Sequence, residues 1–190
     1  MKKNVIATFG SNVFVALMNL IFVPLYIHFM GIESYGLVGV FSTLLALFAL
    51  LDMGLGSTLN REFARLGAQN NKGRDMRDLL RTLEVPYWLV AFLIGLGVVV
   101  FSPILAHHWF NPKTLSATDV QRAVAAMGIA IAFQWPFSFY SGGLMGRHRQ
   151  VTLGILNAVL AAFRGLGAVL VLWLFSPTVE AFFGWQIVVS

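Results

Sequence analysis

An arginine within a long apolar segment is the residue of this sequence best suited to bind a ligand. Arg164 interrupts an otherwise uncharged run over residues 150–179. A guanidinium at the bilayer centre costs roughly 2.5 to 3.5 kcal/mol on insertion scales, so we expect it to face a protein interior or an aqueous cavity. Asn157, Ala161 and Ala168 share its helical face. We expect an anion ligand, because guanidinium pairs with phosphate bidentately; the alternative is a buried ion pair with Asp52.

Two other apolar runs carry polar stripes. Asn12 and Asn19 follow helical spacing on the first run, and Gln134 and Ser138 share a face of the fourth. Such side chains either join neighbouring helices through hydrogen bonds or line a water-filled cavity. The second alternative makes all four candidates for contact with a polar substrate.

Asp52 is the acidic counterpart of Arg164, near the end of the second run, and Arg61 follows it after a glycine-containing segment. One interpretation is a proton relay that couples transport to an ion gradient. The other is a structural hydrogen bond or ion pair to a neighbouring helix. Both interpretations stay open for Asp52, and Arg61 is assigned with it as a coupling or structural charge.

Two prolines lie inside apolar runs, Pro24 in the first and Pro136 in the fourth. Proline removes a helical hydrogen bond and usually kinks the segment. Both positions are therefore predicted to be hinges.

Enzymatic and metal chemistry find little support. The chain has no cysteine, which excludes thiolate metal sites and cysteine nucleophiles. The adjacent His107 and His108 have no nearby carboxylate at ligand spacing. We expect no metal, no bound cofactor and no enzyme activity.

The elements that position these residues are transmembrane helices. Hydrophobic residues make up 58% of the chain and charged residues 11%, which is the composition of an integral membrane protein. Continuous apolar runs of about 20 residues span a bilayer as helices, so the fold class is all-α, a polytopic transmembrane bundle within a single domain, 1–190. The predicted helices are 5–27, 35–60, 85–106, 123–146 and 151–175, with a shorter one over 179–190. Because this last run is about half a span, we expect the chain to be a truncated lobe.

The basic residues predict the orientation of this bundle. They concentrate before the first helix and in the second and fourth connections, so the positive-inside rule places the amino terminus in the cytoplasm. Membrane orientation accounts for the net charge of +5, and we expect no nucleic-acid partner. Leucines at helical spacing after the polar segment 67–73 predict an interfacial helix before the third span.

Aromatic residues with polar ring atoms fall near the predicted helix ends, where such rings anchor at headgroup level. We interpret these residues as interfacial anchors rather than as a site. They are Tyr26, Tyr35, Tyr87, Trp88, Trp109 and Trp173.

Two stretches carry a resemblance to a known family, and a third is compatible with it. Residues 19–36 read NLIFVPLYIHFMGIESYG, residues 51–65 read LDMGLGSTLNREFAR, and residues 142–146 read GGLMG before a basic turn and Asn157. The chain resembles the amino-terminal half of the polysaccharide-transport family, the Wzx-type oligosaccharide-lipid flippases of the multidrug/oligosaccharidyl-lipid/polysaccharide superfamily.

The resemblance implies a transporter of two helical lobes around a V-shaped cavity in the bacterial inner membrane. Its substrate would be undecaprenyl-pyrophosphate-linked oligosaccharide, a repeat unit of O-antigen or exopolysaccharide, moved from the cytoplasmic to the periplasmic leaflet by alternating access. Arg164 would meet the pyrophosphate or an acidic sugar, and Asp52 would couple to a proton or sodium gradient. The implied partners are the bilayer, a carboxyl-terminal lobe and glycan polymerase or assembly proteins.

Three other functions remain open. A drug or metabolite cation antiporter of the same superfamily would share the fold but would need an acid as its dominant intramembrane charge. A membrane-embedded glycosyltransferase or polymerase would need clustered acids, histidines or metal ligands. A fragment or assembly subunit would not transport at all.

Overall fold

The computed structural model describes residues 2–50, 52, 54–67, 73–108, 115–147 and 149–190. All regular structure within these ranges is helical, as predicted. The helices are α1 Lys2–Met30, α2 Ile32–Leu50, α3 Leu55–Gly67, α4 Gly73–His108, α5 Ala117–Gln134, α6 Pro136–Gly146, α7 Gln150–Leu174 and α8 Val179–Val188.

Five stretches are long and apolar enough to cross a membrane. They are Thr8–Met30, Ile32–Leu50, Gly73–His107, Ala117–Gly146 and Gln150–Leu174, and the apolar α8 is shorter. The chain is therefore a multi-pass membrane protein, which confirms the predicted all-α transmembrane bundle.

The predicted second helix, 35–60, is two helices in the structure. The backbone N–H of Asp52 donates to the carbonyl of Ala49 at 3.2 Å, a tighter turn than an α-helix makes. Gly54 then takes a φ of +78°, in the left-handed region that favours glycine. The interruption places Asp52 between α2 and α3 rather than inside a span.

Two further boundaries differ from the prediction. The third span does not begin at 85, because the expected interfacial helix and the span form one continuous helix, α4, from Gly73. Residues 68–72 of the preceding polar segment lie outside the described residues. The predicted helix 123–146 begins at Ala117, where Ser116 Oγ accepts the N–H of Asp119 at 3.1 Å as an N-cap. It is then interrupted at Trp135.

The buried residues form two hydrophobic clusters that meet near these interruptions. The larger cluster joins α1, α2, α5, α7 and α8, with part of α4. The smaller cluster joins α3, α6 and the first half of α4 through Leu59, Phe63, Tyr87, Trp135 and Phe139. Phe48 and Ile94 pack against both clusters.

Glycines hold α3 against α6 at backbone contact. A Cβ at Gly142 would lie 2.2 Å from the carbonyl oxygen of Gly56, and one at Gly146 would lie 2.4 Å from that of Asn60. Close approach through small residues four apart is a common way to pack membrane helices. The GGLMG stretch noted in the sequence therefore forms a helix seam.

Candidate functional site

The polar face of α7 lies against the polar face of α1, and a cavity of about 370 Å³ opens between them. We call it the Asn157 cavity. Its lining includes Asn12, Ala16 and Asn19 from α1 and Asn157, Ala161 and Arg164 from α7. The two stripes predicted from the sequence therefore face the same space.

A second cavity of about 420 Å³, the Gln134 cavity, adjoins the first and shares Asn19, Ala161 and Arg164 with it. It extends toward the end of α1 and the start of α2. From Asn12 in one cavity to Tyr26 in the other, α1 rises about 21 Å. Further polar residues of its lining are Tyr26, Tyr35, Ser42, Gln134 and Gln186.

Arg164 stands where the two cavities meet. Its Nε atom is buried and has no hydrogen-bond partner. The neighbouring residue, Gly165, holds α7 tightly against α1, since a Cβ there would lie 2.1 Å from the ring of Phe22. The hydroxyl of Tyr26 also donates to the carbonyl of Gly165 at 3.4 Å. The segment of α7 next to Arg164 is thus packed closely against α1, and the side chain of Arg164 lines both cavities.

The charge of Arg164 is not balanced within these cavities. Neither lining contains an Asp or a Glu. The alternative of an ion pair between Arg164 and Asp52 is wrong, because Asp52 lines neither cavity and instead bonds Gly56 and Tyr87, while Arg164 Nε has no partner. An unpartnered donor on a cation, beside a cavity, is the arrangement expected of an anion-binding site.

Asp52 belongs to a separate network at the interruption between α2 and α3. Its Oδ2 accepts the N–H of Gly56 at 3.2 Å, in the first turn of α3, as a capping carboxylate does. Its Oδ1 accepts the hydroxyl of Tyr87 on α4. That hydroxyl also lies 2.7 Å from the Oγ of Ser138 on α6. Ser138 therefore belongs to the Asp52 network and does not line the Gln134 cavity.

Trp135 connects this network to the end of α2. Its ring stacks on Tyr87 with centroids 4.2 Å apart, and its Nε1–H donates to the carbonyl of Phe48 at 3.0 Å. Carbonyls in the last turn of a helix have no intrahelical partner, so this bond satisfies one of them. The interruption between α2 and α3 is thus packed against Trp135 and Tyr87.

Sequence reasoning missed the roles of several aromatic residues. Tyr87 is 2% exposed and Tyr26 is 9% exposed, so these two are packed inside the bundle rather than anchored at its surface. Tyr35 lines the Gln134 cavity, and its role as an interfacial anchor stays a prediction. Trp173 is 66% exposed, as an anchor would be. Trp88 donates to the hydroxyl of Tyr140 at 3.1 Å, and Trp109 lies outside the described residues. The signal for Tyr87 was Asp52 itself, since a partly buried carboxylate requires a hydrogen-bond donor.

The remaining predicted residues are dispersed. Arg61 is exposed on α3 and lines neither cavity. Pro24 lies within the continuous helix α1, beside the lining residue Val23. Pro136 is the first residue of α6, directly after the interruption at Trp135, which is where a proline is tolerated because its missing N–H is not needed.

The described residues contain no group of three or more His, Cys, Asp or Glu that could bind a metal ion. Of the adjacent histidines, His107 is exposed at the end of α4. The side chain of His108 lies outside the described part of the chain. The described residues therefore offer no candidate metal site.

Comparison with known proteins agrees with the resemblance noted in the sequence. Neither the curated proteins nor the solved structures include a significant match to this chain. Residues 1–190, the whole chain, match the family described as polysaccharide biosynthesis protein. The chain therefore belongs to the polysaccharide biosynthesis protein family and is a multi-pass membrane protein of that family.

Proposed function

We propose that this chain forms one lobe of a flippase that moves pyrophosphate-linked oligosaccharide, carried on a polyprenyl lipid, across the bacterial inner membrane. The observation that carries the proposal is the buried, unpartnered Nε of Arg164 at the junction of two cavities. Binding energy is available there, because a pyrophosphate oxygen would satisfy a donor that is otherwise buried without a partner.

The charge of the cavity linings favours an anionic substrate over a cationic one. A cation antiporter would need a carboxylate facing the cavity, and the linings contain none. Asp52, the acid that a cation would have required, is held by Gly56 and Tyr87. We therefore assign Asp52 to helix capping and packing, and coupling to a proton or sodium gradient stays a separate prediction.

The neutral polar groups favour a sugar as the second part of the substrate. Asn12, Asn19 and Asn157 line the Asn157 cavity, and amides both donate and accept hydrogen bonds, as sugar hydroxyls do. The same space also contains apolar atoms of Val15, Leu160 and Phe137. A sugar also has both polar hydroxyls and apolar C–H groups, so a wall that mixes amides with apolar side chains suits it.

The direction of transport, from the cytoplasmic to the periplasmic leaflet, is the one that the resemblance to the flippases implies, and the basic residues supply only the expected orientation of the lobe. Arg61, Arg65 and the arginines at the start of α4 lie together in the second connection, so the positive-inside rule places it in the cytoplasm with the amino terminus. Alternating access would require a second lobe to close the cavities on the side that α1 and α7 leave open. We propose that this lobe, and the glycan assembly proteins that use the product, are the partners.

The test replaces Arg164 in the full-length protein, in cells whose own copy of the gene is deleted. We expect Arg164→Ala to abolish surface glycan display and Arg164→Lys to restore part of it, because lysine keeps the charge but loses the planar fork. Arg122→Ala is the matched control, since Arg122 is exposed on α5 and makes only a 3.5 Å pair with Glu180. Immunoblots establish equal protein amounts. Normal display in Arg164→Ala cells would contradict the proposal.

A further inference from the structure

The two cavities that share Arg164 differ in chemistry. The Asn157 cavity offers three asparagines and one aromatic ring, Phe137. The Gln134 cavity offers four aromatic rings and two glutamines. Its aromatic residues are Tyr26, Tyr35, Phe41 and Phe182. Since both cavities meet at the same guanidinium, a ligand anchored there can place a second group in either one.

The aromatic side chains form a built wall rather than a loose surface. Tyr26 and Phe182 make an edge-to-face contact with centroids 5.1 Å apart. Tyr26 and Phe41 are buried, at 9% and 6% exposed, so their rings are held in place by packing. The volume of about 420 Å³ compares with roughly 150 Å³ for a cavity that binds benzene. One or two sugar rings therefore fit beside this wall.

The donors of this cavity identify what a ligand must supply. Gln134 Nε2 is buried and has no hydrogen-bond partner, as is Arg164 Nε. The hydroxyl protons of Ser42 and Tyr26 are already given to the carbonyls of Val38 and Gly165. A ligand must therefore supply two acceptor oxygens, one near Arg164 and one near Gln134.

We propose that the Gln134 cavity is a sugar subsite that selects a sugar bearing a carbonyl or carboxylate oxygen, which accepts the Nε2–H of Gln134 while Arg164 binds the pyrophosphate. This inference rests on the proposed function and adds the substrate class to it. An acetamido group and a uronic acid both present an oxygen that only accepts, whereas each hydroxyl of a plain hexose accepts but also carries a proton that needs an acceptor of its own. No acid in the lining repels a uronate.

The test measures binding of defined lipids to the purified full-length protein in nanodiscs. The probes are undecaprenyl pyrophosphate alone and the same lipid carrying glucose, N-acetylglucosamine or glucuronic acid. We expect the wild type to bind one or both of the substituted sugars roughly two- to tenfold more tightly than glucose, the range for one hydrogen bond. The arm that shows the preference distinguishes acetamido from carboxylate recognition.

Gln134→Leu should erase this preference and leave binding of the bare lipid unchanged. Gln134→Glu keeps a polar side chain of the same length and should weaken the glucuronate lipid further through charge repulsion. Gln121→Leu is the matched control on the same helix, since Gln121 lines neither cavity. A preference that survives in Gln134→Leu, or an equal loss for the bare lipid, would overturn the inference.

Arg164→Ala separates this inference from the proposed function. It should weaken all four lipids, including the bare one. If it leaves binding of the bare lipid unaffected, the assignment of Arg164 as the anion site is wrong. The comparison among the three sugar-bearing lipids still tests the role of Gln134 independently.

Discussion

The cavities around Arg164 and the network around Asp52 are both polar regions inside an apolar bundle, but they differ in whether their polar atoms are hydrogen-bonded. In the network, each carboxylate oxygen of Asp52 accepts a hydrogen bond, from Gly56 or Tyr87. In the cavities, Arg164 Nε and Gln134 Nε2 are buried with no partner. A satisfied polar group stabilises the fold, whereas an unsatisfied one costs stability until a ligand binds.

The comparison separates a structural region from a binding region. The Asp52 network lies at the meeting point of two helix interruptions, where Trp135 and Tyr87 join α2, α4 and α6. Removing its bonds should therefore lower stability first. Changing the cavity residues should lower ligand binding first and leave the unliganded fold intact.

The largest expected effect on stability comes from the seam beneath the network. Gly142→Leu places a side chain where even a Cβ would lie 2.2 Å from the Gly56 oxygen. We expect a loss of about 3 kcal/mol or more, because α3 and α6 must separate. Gly97→Leu is the matched control, since a Cβ at Gly97 meets nothing within 4 Å. Thermal unfolding in detergent measures both, and equal melting temperatures would show that the seam is not closely packed.

A smaller loss should follow from removing one donor of the network. Tyr87→Phe leaves Asp52 Oδ1 without its hydrogen bond, at a cost of roughly 1 to 3 kcal/mol. A double-mutant cycle with Asp52→Asn isolates the interaction. We expect coupling above about 0.5 kcal/mol, the value within which independent sites add. Additive losses would mean that Tyr87 stabilises the protein by ring packing alone.

The sequence predicts the membrane topology and the polar stripes better than it predicts the interruptions. Continuous apolar runs determine the spans, and helical spacing brings Asn12, Asn19, Asn157 and Arg164 to one cavity. The sequence also indicates that Asp52, near the end of an apolar run, needs a hydrogen-bond donor. It cannot identify Tyr87 as that donor, because the pairing joins distant segments through the packing of α3, α4 and α6.

The placement of Ser138 shows the same limit. Gln134 and Ser138 are four residues apart and share a face in an uninterrupted helix. In the structure Gln134 lines the Gln134 cavity while Ser138 hydrogen-bonds Tyr87, although Trp135 between them keeps the α-helical φ and ψ of −61° and −42°. Residues on one helical face can therefore meet different neighbours, and periodicity does not show which neighbours those are.

The stability of Arg164→Met in the absence of ligand tests the contrast between the two regions most directly. Methionine is flexible and apolar, and the change removes a buried donor that has no partner. We expect the melting temperature of the purified, ligand-free, full-length protein to equal or exceed that of the wild type, while binding of undecaprenyl pyrophosphate is lost. A melting temperature lowered as far as in Tyr87→Phe, with lipid binding retained, would show that Arg164 is a structural residue and contradict the account.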